Sequence, residues 1–242
     1  MIYDIAGLRI DIRNKFRYTD GFCQAYLSQD QTAPVDLIAT VSEEDFQREK
    51  TVSSQFPDGY IENICLYRSI CNQLPVLNRM LLHAAVLEYE GNAYAFLGKS
   101  GTGKSTHTGL WLKALNGVKI VNGDKPILWE TEGEIFACGT PWMGKEGLGM
   151  NAISPLKGLC FLEQAKENFI RRLTPSEAAM KTFAQILIPN DGDNTARTLE
   201  FTDRIVSKIP CYLLRCNISE EAVKTSFEAL TGENYISKIN NQ

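Results

Sequence analysis

Residues 93–105 read Ala-Tyr-Ala-Phe-Leu-Gly-Lys-Ser-Gly-Thr-Gly-Lys-Ser: an apolar run that passes into a glycine-rich stretch closed by a lysine and a hydroxyl. The short apolar run, bounded by glycine, reads as a buried strand, and residues 105–115 continue as a helical pattern. Strand, glycine-rich turn and helix together make a P-loop in its expected context. Gly98, Gly101 and Gly103 let the backbone turn tightly and present successive N–H groups to an anion with no side chain in the way. Lys104 then reaches the β- and γ-phosphates, the Ser105 hydroxyl sits on Mg2+, and the helix points its positive end at the same charge. The nucleotide-binding set is Gly98, Lys99, Ser100, Gly101, Thr102, Gly103, Lys104, Ser105 and Thr106, with ATP and Mg2+ as the expected ligands. The rival reading, a glycine-rich turn that carries a lysine by chance, leaves the flanking strand and helix unexplained.

The elements around this loop predict an α/β fold with a mixed sheet and β-hairpins. Leu82–Tyr89 and Ala93–Leu97 flank Glu90-Gly91-Asn92, a tight hairpin that gives the P-loop strand an antiparallel neighbour. Doubly wound P-loop proteins instead separate consecutive strands by helices. Beyond the helix, Val118–Val121 forms a short strand ending in Asn122-Gly123-Asp124. A second hairpin, 126–129 with 134–138, turns at Glu132-Gly133, and Leu156–Leu162 is a strong strand. Residues 1–75 read as a small α+β segment, with one strand over Tyr3–Ile12, another over 36–41, and a helical pattern from Gly59 to Met80 broken at Pro75. Residues 76–242 form the P-loop unit, and the last third of the chain reads as mostly helical. Thr174-Pro175-Ser176-Glu177 is a capping box opening a helix to about Leu187, and Ser219 caps a terminal helix that stops near Gly232.

Composition narrows the class. The 242 residues are 44% apolar, enough for a substantial core, and carry a formal net charge of −4 with lysines and arginines scattered, which argues against a nucleic-acid partner. No stretch reaches the length of a membrane span and residues 1–5 have no leader-like pattern, so a soluble, cytoplasmic protein is expected. Seven cysteines without a C-x-x-C pair read as reduced, buried thiols, and two histidines exclude a histidine-rich metal centre. Homo-oligomerisation stays open.

Phosphoryl transfer to a hydroxyl needs a carboxylate near the γ-phosphate and the metal. Asp124, at the end of an apolar strand and twenty residues after Lys104, is the candidate, against the alternative of a turn-forming Asn-Gly-Asp. His83 precedes the strand paired with the P-loop strand, and hairpin geometry brings it to the phosphate end of the sheet unless it is a satisfied core residue. Lys104 completes the catalytic set; His107 reads as structural. The loop 139–151 is long and glycine-rich for a connector. Its Thr140, Trp142, Lys145 and Asn151 are candidate acceptor-site groups, the alternative being a mobile surface loop. Arg171 and Arg172 read as an exposed basic pair.

Leu82-His83-Ala84-Ala85, Gly98–Ser105 and Ile120-Val121-Asn122-Gly123-Asp124 together resemble the HPr kinase/phosphorylase and phosphoenolpyruvate carboxykinase group of P-loop proteins, over about residues 80–165. The resemblance implies that His83 and Asp124 are active-site residues, with Asp124 on the metal or acting as base and Ser105 a metal ligand. It departs in one place: the first acidic residue of the family's Asp-Asp pair is Gly123 here. The small serine-kinase-like relatives are the nearer likeness. They imply an ATP-dependent phosphotransferase acting on a serine-type hydroxyl in a small molecule, a peptide or a protein. A nucleotide-binding regulatory protein with weakened transfer, and a plain NTPase switch, are the rivals.

Overall fold

The computed structural model describes residues 1–239 and forms a mixed α/β fold. Its N-terminal part is a three-stranded sheet of β1 (Ile2–Ile5), β2 (Leu8–Ile12) and β3 (Leu37–Ala39), flanked by α1 (Tyr18–Phe22), α2 (Glu43–Val52) and α3 (Asp58–Gln73). The stretch 3–12 is therefore a hairpin and not one strand, because Ala6 and Gly7 both take left-handed φ (53° and 71°) and reverse the chain. Helix α3 stops before Pro75 as expected, but residues 79–81 are a strand, β4 (Arg79–Leu81), and not a continuation of the helical pattern.

The main sheet adds β5 (Ala84–Tyr89), β6 (Asn92–Leu97), β7 (Lys119–Asn122), β8 (Ile127–Thr131), β9 (Glu134–Cys138), β10 (Ile153–Gln164), β11 (Phe169–Arg172) and β12 (Cys211–Cys216). The order β4-β8-β9-β10-β6-β5-β7 runs across it, with β12 on the other part of β10 and β11 outside β12. Both hairpins form where turn chemistry placed them, with Glu90-Gly91 and Glu132-Gly133 at positive φ. Strand β10 changes partners along its length: Ile153–Pro155 pair antiparallel with β9, whereas residues 156–164 run parallel to β6 and β12. Strand β6 is buried on both faces, which is why its sequence is continuously apolar and not alternating.

Helices cover both faces. Helix α4 (Lys104–Ala114) packs with α7 (Glu220–Thr231) through Trp111, Phe96 and Phe227, and α8 (Tyr235–Ile239) closes that layer. On the opposite face α5 (Pro175–Phe183) and α6 (Gly192–Lys208) bury Ala178, Phe201 and Ile205. The last third is mostly helical, as read, with β11, β12 and the end of β10 completing the sheet. The Thr174–Glu177 capping box and the Ser219 cap form as read. All seven cysteines are free and six are buried. Among the described residues no helix is long and apolar enough to cross a membrane.

His107 lies in the α4–α7 interface, where its Nε2 is 2.9 Å from Ser226 Oγ and its ring packs 4.9 Å from Phe96. Burial pushes its pKa down to about 4. A histidine held neutral in the fold but free to charge in the unfolded chain makes unfolding take up a proton. Stability should hold above pH ~6.5 and fall by up to about 3 kcal/mol as pH drops toward about 4. Urea unfolding at pH 7.5 and 4.5 measures this, and the same comparison in His107→Gln should show a shallower loss.

Candidate functional site

The glycine-rich loop 98–105 sits at the carboxyl end of β6, the edge of an open α/β sheet where ligands bind. Gly101 and Gly103 take left-handed φ of 80° and 103°, and Gly103 caps α4 in that conformation, so no side chain intrudes on the N–H groups of the first helical turn. At Gly98 a Cβ would stand 2.9 Å from Thr102 Oγ1. The Thr102 hydroxyl donates to the Lys99 carbonyl across the loop, and Gln164 Nε2, at the end of β10, donates to Gly101 O at 3.1 Å. Lys104 is only 8% exposed; its Nζ donates to Gly98 O at 2.8 Å, which holds the ammonium inside the loop. Burial lowers its pKa, and Asp124 pushes back. Lys99, Ser100, Ser105 and Thr106 are exposed, so both hydroxyls at the helix start are free to meet a ligand.

Strand pairing brings the distant candidates to the same edge. Ala84 lies opposite Leu97, so His83 stands beside the start of the P-loop, and the Ala84 amide donates to the Asp124 carbonyl at 3.1 Å. His83 Nε2 is 3.2 Å from Asp124 Oδ1, a contact that requires the ring proton on Nε2. Lys125 Nζ is 3.3 Å from Asp124 Oδ2. Burial alone would raise the pKa of Asp124, but the His83 hydrogen bond and the Lys125 charge outweigh it and hold the carboxyl below its ordinary value.

The turn carrying Asp124 is built on Asn122, which is fully buried. Its Oδ1 accepts from the amides of Asp124 (2.9 Å) and Lys125 (2.7 Å), and its Nδ2 donates to Thr140 O at 3.0 Å. The Thr140 hydroxyl in turn donates to Lys125 O at 2.7 Å. Asn122 and Lys125 are the residues that sequence reasoning passed over. An Asn before Gly reads as turn chemistry, and a lysine after Asp as a solvated charge.

The loop 139–151 lies directly on this turn. Its Gly144 leaves room for Asp124, whose Cβ would stand 2.9 Å from a Cβ at position 144. Most of its acceptor candidates serve the scaffold instead. Thr140 is buried in the Asn122 clamp; Trp142 is buried against Tyr67 of α3 with ring centroids 5.2 Å apart; and Asn151 donates to Asp4 O at 3.1 Å. Only Lys145 of the four is exposed and unclamped by these contacts. Arg171 is engaged with Glu177 at 2.7 Å, as expected of a surface ion pair. A cleft of about 660 Å3 lined by Arg79, Trp129, Glu130 and Arg204 is elsewhere, and its Arg204 and Glu130 pair with each other at 2.7 Å.

Gly123 has a structural cause. A Cβ there would lie 2.7 Å from Met143 O and 3.3 Å from Leu148 O, and the Gly123 amide donates to that same Leu148 carbonyl at 3.0 Å. The loop backbone fills the place an acidic side chain would need. Gly123→Asp should therefore lower the melting temperature and displace the loop without raising phosphoryl transfer. Asn122→Ala should cost more than about 2 kcal/mol, because it strands several buried partners at about 1–3 kcal/mol each. Chemical denaturation of both variants checks these values.

No family profile and no curated protein matches the sequence. Among solved structures the chain is similar to the Hpr(Ser) kinase/phosphatase from Coxiella burnetii. The two share 11% sequence identity at a TM-score of 0.37, over 63% of this chain and 93% of that one. The identification of the site rests on the residues described above.

Proposed function

We propose that the protein is an ATP-dependent phosphotransferase that moves a γ-phosphoryl group to a hydroxyl of the serine type. The observation that carries this reading is the convergence of Lys104, Asp124 and His83 at the carboxyl end of β6. A phosphate-binding loop alone serves any nucleotide-binding protein; a histidine-oriented carboxylate beside it is what transfer to an acceptor requires.

The backbone N–H groups of 98–105 and the Lys104 ammonium bind the phosphates, and the α4 dipole adds to their attraction. Ser105 and Asp124 are hard oxygen donors of the kind Mg2+ takes together with phosphates and water, and the ion would neutralise charge on the transferred group. Asp124, ionised through neutral pH, accepts the hydrogen bond of the incoming hydroxyl and orients it. The hydroxyl oxygen bonds to the γ-phosphorus as the bond from that phosphorus to the bridging oxygen breaks; ADP leaves, and the hydroxyl proton passes to Asp124 and then to water. The loop at 143–148 overlies Asp124 and shields this point, with Lys145 at its exposed face for an anionic group of the acceptor. An acidic chain with no basic stripe favours a small hydroxyl-bearing molecule or a short peptide as acceptor. The protein is proposed to act in the cytoplasm.

One observation favours a second reading, a nucleotide-binding regulatory protein with weak transfer: the loop backbone excludes a second acidic side chain at 123. Incubation with γ-labelled ATP, free serine, seryl peptides and candidate protein partners separates the two by whether label ends on a stable acceptor, on water or nowhere. Lys104→Ala should weaken Mg·ATP binding by about tenfold or more, as loss of a charged hydrogen bond predicts; unchanged calorimetry would sink the site. Asp124→Asn should keep nucleotide affinity within about tenfold and cut transfer about 10²-fold or more.

A further inference from the structure

We infer that Lys125 is a second phosphate-binding cation, held on Asp124 while the site is free of nucleotide and handed to the terminal phosphate when metal and nucleotide arrive. The inference rests on the phosphotransferase reading and adds a residue and a binding order to it.

In the structure both oxygens of Asp124 are taken, Oδ1 by His83 at 3.2 Å and Oδ2 by Lys125 at 3.3 Å. A divalent ion that binds this carboxylate must displace one of them. The two are not equally movable. His83 is set by its backbone, whose amide donates to Gln185 O at 2.7 Å, and by a ring on a short stem. Lys125 has a backbone fixed by Asn122 and Thr140, but its ammonium ends a four-carbon stem with rotatable donors. Its side chain is 27% exposed, so the freed ammonium remains partly desolvated and near the Lys104 charge. Like charges at partial burial repel, and an anion between them removes the cost. The γ-phosphate is the group that a P-loop delivers to that place, so metal capture by Asp124 and phosphate capture by Lys125 occur together. Arg171, the alternative source of such a cation, is spent on Glu177.

The test uses the full chain and its variants Lys125→Met, Lys125→Gln and Lys125→Arg, with Mn2+ as a spectroscopic probe and calorimetry of Mg·ATP and Mg·ADP. Lys125→Met should bind Mn2+ without nucleotide several-fold more tightly than the parent. It should also lose about tenfold in Mg·ATP affinity relative to Mg·ADP, the scale of one charged hydrogen bond. Lys125→Gln carries the same expectation if the methionine variant does not fold, and Lys125→Arg should restore the preference for ATP. Equal weakening of ATP and ADP, or an unchanged ATP-to-ADP ratio with unchanged Mn2+ affinity, overturns the role of Lys125 and leaves the phosphotransferase reading standing. A parent protein that binds neither nucleotide overturns both.

Discussion

The pairing of β6 on both of its edges is the constraint from which the site follows. Antiparallel to β5, it brings Ala84 level with its own last residue, Leu97, and so sets His83 beside the loop that follows; parallel to β10, it sets Gln164 beside the same loop. Strand β7, antiparallel to β5, runs the same way as β6 and so delivers Asp124 to the same edge. Register decides all of this: a one-residue slip of β5 would send Ala84 and Val86 to the face where Leu87 and Tyr89 pack, and both faces are filled.

Around that edge the protein uses uncharged polar groups to place charged ones. Asn122 and Thr140 are fully buried and make their bonds to backbone, so the position of Asp124 is set by amides that do not titrate. His83, Asp124 and Lys125 then interact where solvent still reaches them, which limits the desolvation that carboxylate and that lysine would otherwise meet.

What could be read in the sequence was what short-range chemistry encodes. The glycine-rich turn into α4, two glycine-turned hairpins, the capping box and the short strand before Asp124 all depend on neighbours within a few residues. Strands β11 and β12 and helix α6 escaped because their place depends on partners far along the chain, such as Leu159 opposite Cys211. The burial of Trp142 escaped for the same reason. An aromatic among glycines looks accessible, and only Tyr67, seventy-five positions earlier, makes it part of a core. Gly123 is the reverse case: a glycine before Asp124 was visible, but what holds the position to glycine is the Met143 carbonyl.

That Trp142–Tyr67 contact also bears on how separable the two parts of the chain are. The apolar core of the N-terminal sheet does not end at residue 75; it takes in Leu81, Ile127, Cys138 and Trp142. With Asn151 bonded to Asp4, both ends of the segment that overlies Asp124 hang on the first seventy-five residues. The small sheet thus backs the segment that overlies Asp124, so a change in its core that shifted Tyr67 or Asp4 would be felt at that segment.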